Sequence, residues 1–441
     1  MKKKVAVINL GCPKNQVDSE VISGLLADRF INTFNPEEAN IIIVNTCGFI
    51  EEAKAESIEM ICEMIQLKSV GKCEKVFVTG CLAQRYGEEL LKEIPELDGV
   101  LGDGDLQRIP LEIENARHQR VHTFSKQQDF IYSHAMPRVR FGPSFSAYLK
   151  IAEGCDNRCS YCAIPMIKGK YRSRPIESIL AEAKKLASEG VKEIILVAQD
   201  TTRFGIDLYG KFCLPGLLHE LAQIEDIRWI RLMYCYPDVF SDELIEIIAK
   251  EPKICKYVDL PLQHADNKIL AKMNRRNTAE EAEILINKLR TSIPGIFIRS
   301  TFITGFPGET EEQFAKMLQF IRQVPLDRLG VFAYSQEENT PAGMMEDQIP
   351  TEVREERKNV MMSLQAELAS ELQQRRIGQT LQVILEEEVA KNKWVGRSEG
   401  DAPEIDGQIY VTVQHEHSPG DILHVRILQV DSYDMQGEGL E

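Results

Sequence analysis

Three cysteines stand close together in the segment Gly154-Cys155-Asp156-Asn157-Arg158-Cys159-Ser160-Tyr161-Cys162. A Cys-x3-Cys-x2-Cys spacing offers three thiolates, enough to hold three irons of a cubane cluster and leave the fourth open to chelate a small molecule. A structural zinc site closes around four ligands, commonly in paired Cys-x2-Cys knuckles. Inert buried thiols are the other reading, and three of them in a loop with Gly154 and Asn157 fit it poorly. A second set, Cys12, Cys47 and Cys81, is spread along the chain, yet each follows a β-branched run, at 5–8, 41–44 and 76–79. In an open parallel sheet the strand carboxyl ends gather at one edge, where ligands bind, so these three can share one crevice. Cys62, Cys73, Cys213, Cys235 and Cys255 show no ligand-like grouping and read as structural, Cys62 packing within a helical pattern. His264 ends a strand-like run, with a cavity-facing and a structural role both open.

The elements that must position these groups read as α/β in three parts. The first, 1–118, alternates short β-branched runs (the last at 100–101) with helical stretches at 16–29 and 51–66, which implies an open parallel αβα domain. A polar connector is expected at 119–140. From 141 to 372, strand-like runs at 146–152, 193–198, 230–233, 257–260, 296–303 and 329–332 alternate with helical segments such as 176–189 and 279–290. About six βα units make a partial (βα)6 barrel, short of the eight that close a full one. The Cys155–Cys162 segment follows the first of these strands, on the face where barrel enzymes place their chemistry. A helix is expected at 353–376. Strand runs at 380–385, 408–413 and 423–430 between Gly-, Asp- and Pro-rich turns give 375–441 the look of a small antiparallel β-barrel.

The chain has 441 residues, 43% hydrophobic and 27% charged, enough to bury several cores without disulfides. Eleven cysteines in such a chain read as metal or redox ligands rather than a disulfide framework. No run approaches the length of a membrane span. Lys2-Lys3-Lys4 before the apolar run at 5–8 superficially resembles a secretory signal, but the run is short and breaks at Gly11-Cys12-Pro13, so it reads as the first strand of a cytoplasmic protein. A net charge of −16 counts against a general nucleic-acid coat.

The cysteine triplet at a first barrel strand resembles the signature of radical S-adenosylmethionine (radical SAM) enzymes. The resemblance implies that a 4Fe–4S cluster on Cys155, Cys159 and Cys162 chelates S-adenosyl-L-methionine and cleaves it reductively to a 5′-deoxyadenosyl radical. It further implies cofactor contacts at Tyr161, beside the last cysteine; at Gln199 and Asp200 in Ala198-Gln199-Asp200-Thr201-Thr202; and at Thr304 and Gly305 in Phe302-Ile303-Thr304-Gly305-Phe306-Pro307-Gly308-Glu309. The contexts Gly11-Cys12-Pro13-Lys14-Asn15, Asn45-Thr46-Cys47-Gly48-Phe49-Ile50 and Thr79-Gly80-Cys81-Leu82 resemble the N-terminal domain of the methylthiotransferases. There the matching cysteines hold an auxiliary 4Fe–4S cluster that carries or supplies sulfur, and the tail resembles the TRAM substrate-binding module.

Two branches of that family differ in substrate, one modifying an adenosine of tRNA and the other an aspartate of small-subunit ribosomal protein S-twelve. The wording of the cysteine motifs and of Gln199-Asp200-Thr201-Thr202-Arg203-Phe204-Gly205 resembles the second; the tRNA branch usually has Gln and Met after the first cysteine. Independently, residues 377–441 carry four basic and 13 acidic residues, a balance of −9. Such a module would repel phosphate and suits a basic ribosomal protein, although an acidic surface also simply keeps a protein soluble. The expected reaction is methylthiolation of the aspartate β-carbon to 3-methylthioaspartate. The expected partners are that ribosomal protein, free or in the subunit, and an electron donor such as a flavodoxin or ferredoxin, with no membrane and no direct nucleic-acid contact. The alternatives are a tRNA adenosine methylthiotransferase and an iron–sulfur electron-transfer protein, against which the barrel and separate tail argue.

Overall fold

The computed structural model describes residues 2–116, 119–125 and 130–440. The domain boundary expected at 118 and part of the expected connector, 126–129, lie outside the described residues.

The N-terminal part is a six-stranded parallel sheet of β1 (Lys4–Asn9), β2 (Ile31–Asn32), β3 (Ile41–Thr46), β4 (Lys75–Gly80), β5 (Gly99–Leu101) and β6 (Val121–Thr123), in the order β2-β1-β3-β4-β5-β6. Helices α1 (Pro13–Leu26), α2 (Glu51–Val70), α3 (Cys81–Glu93) and α4 (Ile109–Asn115) connect the strands. Every residue of β3 is buried, which is why its sequence is a continuous aliphatic run rather than an alternating one. Strand β6 falls where a connector was expected. Its three residues are too short to leave a period in the sequence, and pairing with β5 makes it a strand.

The rest of the connector is clamped. Arg138 donates to Glu20 of α1 at 2.6 Å, to Glu182 at 2.7 Å and to the Tyr148 carbonyl at 2.8 Å, tying the first domain to the second.

The central part opens with β7 (Ser146–Lys150) and a two-residue antiparallel pair, β8 (Ala152–Glu153) with β9 (Arg172–Ser173), that flanks the cysteine loop and the short helix α5 (Ile164–Ile167). Parallel strands β10 (Glu193–Val197), β11 (Trp229–Leu232), β12 (Tyr257–Gln263), β13 (Phe297–Thr304) and β14 (Arg328–Ala333) follow. They form two three-stranded sheets, β11-β10-β7 and β12-β13-β14, joined by the bridge Ile230–Ile254 and by the Cys235 N–H, which donates to the Asp259 carbonyl at 2.9 Å. This is the expected six-stranded partial barrel, open between its edge strands β7 and β14, which are not paired among the described residues. Helices Ile176–Ser188, Leu214–Ala222, Asp242–Lys250, Ala279–Ser292 and Glu311–Gln323 cover the outside through the apolar core they share with the strands.

After the long helix Thr351–Gln374, strands β15 (Thr380–Ala390), β16 (Lys393–Ser398), β17 (Ile409–Thr412), β18 (Ile422–Asp431) and β19 (Asp434–Leu440) close a five-stranded barrel. Its pairings are antiparallel except β17 with β19, which run parallel and close the ring.

The small barrel caps the strand starts of the partial barrel. The first residue of each of β10 to β14 meets it. Glu193 pairs with Arg397 at 2.6 Å, Trp229 reaches Gln382 at 3.5 Å, Tyr257 donates to Asp406 at 2.8 Å, and Arg328 pairs with Asp401 at 2.5 Å. Phe297 lies where a side chain on Gly400 would sit. The N-terminal domain lies at the other end, against the strand carboxyl ends, so the central barrel is covered from both sides. Among the described residues no helix is long and apolar enough to cross a membrane.

Candidate iron–sulfur and cofactor site

The expected cysteines gather at the strand carboxyl ends, in two groups that face each other across the domain junction. Cys12 precedes α1, Cys47 follows β3, and Cys81 is the first residue of α3. The turn before α3 uses Gly80 at φ +91°, where a Cβ would lie 2.3 Å from Asn45 Oδ1. Asn15 organises the group: its amide donates to the carbonyls of Leu10 (3.2 Å) and Thr46 (3.0 Å), and the Cys81 thiol lies 3.8 Å from its oxygen. Ser57 brackets Cys47, accepting from its N–H at 3.1 Å and donating to its carbonyl at 2.9 Å. Arg85 donates to the Gly48 carbonyl at 2.7 Å and to Glu337 of the central part at 2.8 Å, pinning the Cys47 turn to the barrel. Cys12 and Cys81 sit at helix N-termini, where free N–H groups and the helix dipole favour negative charge.

The second group is held as firmly. The Cys155 N–H donates to Gly169 at 3.2 Å, and Gly154 at φ +75° leaves no room for a side chain, since a Cβ would stand 2.1 Å from the Lys170 carbonyl. Asn157 donates to Asp200 at 2.7 Å and accepts from Arg203 at 2.9 Å; Ser160 bonds the Lys272 and Met273 carbonyls. The Cys159 sulfur lies 3.8 Å from the Tyr236 hydroxyl and 4.0 Å from Arg275, whose guanidinium stacks 3.9 Å from the centre of the Tyr236 ring. Cys81 packs against Ala163, the residue after Cys162 in the chain, and Ile167, which brings the two groups to the same junction.

The donor set fits an iron–sulfur cluster at each group. Burial pushes the Cys155 thiol up to about 11 and raises Cys162 and Cys81 well above the ordinary thiol range; burial, then Cys12, raises Cys47. Burial thus favours the protonated form of these four thiols, and bound iron would take the proton's place. None of the cysteines is in a disulfide.

A buried ionic network underlies both groups. Lys150 of β7 pairs with Asp18 of α1 and with Glu153 at 2.6 Å; Lys168 pairs with Asp103 at 2.6 Å and with Asp18 at 3.5 Å. Although burial opposes ionisation of Glu153, the ammonium groups of Lys150 and Lys168 hold its carboxyl far below the usual carboxylate range. Isolated buried charges are costly, so this network closes only when the two domains are docked.

The expected cofactor-contact residues differ in how free they are. Gln199 donates to Glu153 at 2.7 Å and leaves its Oε1 buried without a partner, an acceptor suited to a ligand ammonium such as that of a methionyl group. Asp200 is fully engaged by Asn157, Thr202 and Arg203, so its side chain holds the cysteine loop. Tyr161 joins the apolar cluster of Ile269, Met273, Phe306 and Tyr334. The Thr304 hydroxyl donates to the Arg354 carbonyl at 3.1 Å, and the Gly305 N–H donates to Glu309 at 3.1 Å.

His264 is structural. Its Nδ1 accepts from the Asp266 N–H at 2.9 Å, so Nε2 carries the proton toward Glu309 at 3.1 Å. Cys73, Cys213, Cys235 and Cys255 are buried, as a structural reading requires; Cys62, expected to pack, is exposed on α2. Lys14 lies in the motif around Cys12, whereas Tyr234, Tyr236, Arg275 and the Lys150–Lys168 network carry no spacing signature and meet only through the fold. The strained backbone of Arg158 (φ 52°), Tyr234 (φ 59°) and Gln263 (φ 74°), all in this loop or at these strand ends, marks the same region.

Comparison with known proteins agrees with this arrangement. Residues 149–321 match the radical SAM superfamily, 4–102 match the uncharacterized protein family UPF0004, and 377–439 match the TRAM domain. A ribosomal protein uS12 methylthiotransferase of Desulfitobacterium hafniense (strain Y51) is 56% identical over 99% of both chains. One of Heliobacterium modesticaldum (strain ATCC 51547 / Ice1) is 48% identical over 99% of this chain and 95% of its own. Among solved structures, the radical S-adenosylmethionine methyltransferase TsrM from Kitasatospora setae superposes with a TM-score of 0.56 at 17% identity, over 78% of this chain and 77% of its own, which supports the fold. The chain belongs to the ribosomal protein uS12 methylthiotransferase family of radical SAM enzymes.

Proposed function

We propose that this chain methylthiolates the β-carbon of an aspartate in ribosomal protein uS12, the S-twelve protein, giving 3-methylthioaspartate. The observation that carries the reading is the approach of two cysteine triplets from two domains, with Cys81 packed against Ala163 and Ile167, which follow Cys162 in the chain. Electron transfer alone does not need a barrel built around such a junction. Cys155, Cys159 and Cys162 would hold the cluster that binds S-adenosyl-L-methionine, and Cys12, Cys47 and Cys81 the auxiliary one. When bound, these groups supply reductive cleavage of the cofactor and the sulfur to be inserted.

The chain's own residues do the rest. Gln199 offers its unpaired Oε1 to the methionyl group, while Tyr161 and the backbone at Thr304 and Gly305 border the cofactor. Asp200 fixes the cysteine loop through Asn157. Arg275 and Tyr236 set the charge around Cys159, and the domain junction shields the reacting atoms from water.

The small barrel contributes more narrowly than its net charge suggests. Asp401 and Asp406 are spent on Arg328, Arg299 and Tyr257 at the interface. Glu387, Glu388, Glu404, Glu416 and Asp431 remain exposed and can steer a basic protein. The small barrel that carries them packs on the strand starts, at the opposite end of the central strands from the cysteines, a span that a folded protein substrate bridges. A small electron-transfer protein such as a flavodoxin or ferredoxin would supply the electrons, in the cytoplasm, without nucleic-acid contact.

Replacement of single cysteines tests the division of labour. Cys159→Ala should abolish both cofactor cleavage and product, whereas Cys47→Ala should keep cleavage and lose sulfur insertion. Equal loss of cleavage in both would contradict it.

A further inference from the structure

The buried lysines of this protein are of two kinds. Lys150 and Lys168 are each paired with at least two carboxylates. Lys14 is equally buried, at 8% exposure, yet among the described residues no carboxylate pairs with its ammonium. Its neighbour is the ring of Tyr234, 3.4 Å from Nζ to the ring centre. The carboxylates that could approach are committed elsewhere: Glu153 to Lys150 and Gln199, and Asp259 to Arg299 at 2.9 Å and to the Tyr234 N–H at 3.0 Å. The groups that favour its charge are the Tyr234 hydroxyl, Cys12 and, last, Glu153, none of them a carboxylate paired with it; a buried cation that lacks a carboxylate partner is complementary to an incoming one.

Its position says where that anion would go. Lys14 lies two residues after Cys12, at the start of α1. Tyr234 follows β11, and two residues on Tyr236 reaches Cys159. The ammonium therefore stands at the junction between the two cysteine groups, over a tyrosine whose backbone is held in a left-handed conformation. We propose that Lys14, seated on Tyr234, receives the side-chain carboxylate of the substrate aspartate and is a specificity-determining residue of the reaction. This rests on the function proposed above. In aspartate the β-carbon is bonded directly to the carboxylate carbon, so clamping the carboxylate at Lys14 fixes the reacting carbon one bond away. A nucleoside offers no carboxylate to this site.

The test is a double-mutant cycle with reconstituted holoenzyme. Affinities of wild type and Lys14→Met are measured by fluorescence anisotropy for uS12 and for uS12 with its target aspartate replaced by alanine, with electron paramagnetic resonance of the clusters alongside. Lys14→Met should weaken binding of uS12 by about 30-fold or more, leave binding of the alanine form unchanged, and leave the auxiliary-cluster spectrum as in wild type. Lys14→Arg, which keeps the cation, should restore most of the affinity and guards against a folding defect. Equal weakening for both forms of uS12 overturns the proposal. So does unchanged affinity accompanied by a lost or shifted auxiliary-cluster signal, which would assign the ammonium to the cluster. Failure of the function itself is read separately, by mass spectrometry of wild-type reactions with uS12 and with tRNA, as modification of tRNA rather than uS12.

Discussion

Glu193→Gln is the change that most clearly probes how the small barrel is fixed to the enzyme. Glu193, the first residue of β10, is completely buried and binds Arg231 at 2.9 Å, Arg397 at 2.6 Å and the Ser146 hydroxyl at 3.0 Å. Burial alone would raise its carboxyl, but Arg397 and Arg231 overcome this and bring it from 4.5 to about 2. At roughly 1.4 kcal/mol per tenfold change in proton affinity, that difference is about 3 kcal/mol in favour of the docked, ionised state. Because the folded-state value is lowered, the contribution is fully present above pH 4.5 and disappears as pH falls from 4.5 toward 2. Glutamine keeps the shape and loses the charge, leaving two buried guanidinium groups short of a partner. Hydrogen exchange in β15 and β16 at pH 7 should then be faster by roughly a hundredfold than in wild type. The difference between the two proteins should close on acidification to about pH 2. Equal exchange at pH 7, or a difference that survives unchanged at low pH, would refute the reasoning.

Other outcomes follow from single contacts. Gly154→Ala places a Cβ 2.1 Å from the Lys170 carbonyl at φ +75°, costing about 1–2 kcal/mol in backbone strain plus displacement of the loop; iron bound at Cys155, Cys159 and Cys162 should fall while the auxiliary-cluster signal persists. Lys168→Met strands Asp103 at the domain junction and should lower stability by about 3–5 kcal/mol in chemical denaturation, with Lys168→Met/Asp103→Leu recovering part of it. Iodoacetamide applied to the cluster-loaded protein should label Cys62 and spare Cys73, Cys213, Cys235 and Cys255, checked by peptide mass spectrometry. Glu387→Lys with Glu388→Lys should slow uS12 association by roughly tenfold at low salt and flatten its salt dependence, measured by stopped-flow fluorescence.

The chemistry was legible wherever it depends on spacing within one segment. Cys155, Cys159 and Cys162 announce themselves, and Cys12, Cys47 and Cys81 become a set once each is seen to end a strand. Side chains that meet only through the fold left no such trace. Lys168 and Asp18 pair at 3.5 Å although 150 residues separate them, and Arg275 reaches Cys159 from 116 residues away. The resemblance named Asp200 as a cofactor contact, but sequence could not reveal that Asn157, Thr202 and Arg203 already occupy its carboxylate.

The six-stranded barrel was readable because its strands are apolar runs with helices between. Strands β16 and β19 leave no clear strand run in the sequence because they contain Gly396 and Gly437, where a Cβ would stand only 2.4 and 2.5 Å from the carbonyl oxygens of Ile384 and Arg426. The charge of the small barrel is legible as a sum, but the sum cannot separate Asp401 and Asp406, spent on the interface, from Glu387 and Glu388 on the surface.

The central claim is tested most directly by mass. The purified protein would be reconstituted anaerobically with iron and sulfide, reduced, given S-adenosyl-L-methionine, and offered uS12 and tRNA in separate reactions. A gain of about 46 Da, a methylthio group replacing hydrogen, on one aspartate of uS12 and nothing on tRNA is the predicted result. The same gain on tRNA with uS12 unchanged would contradict it.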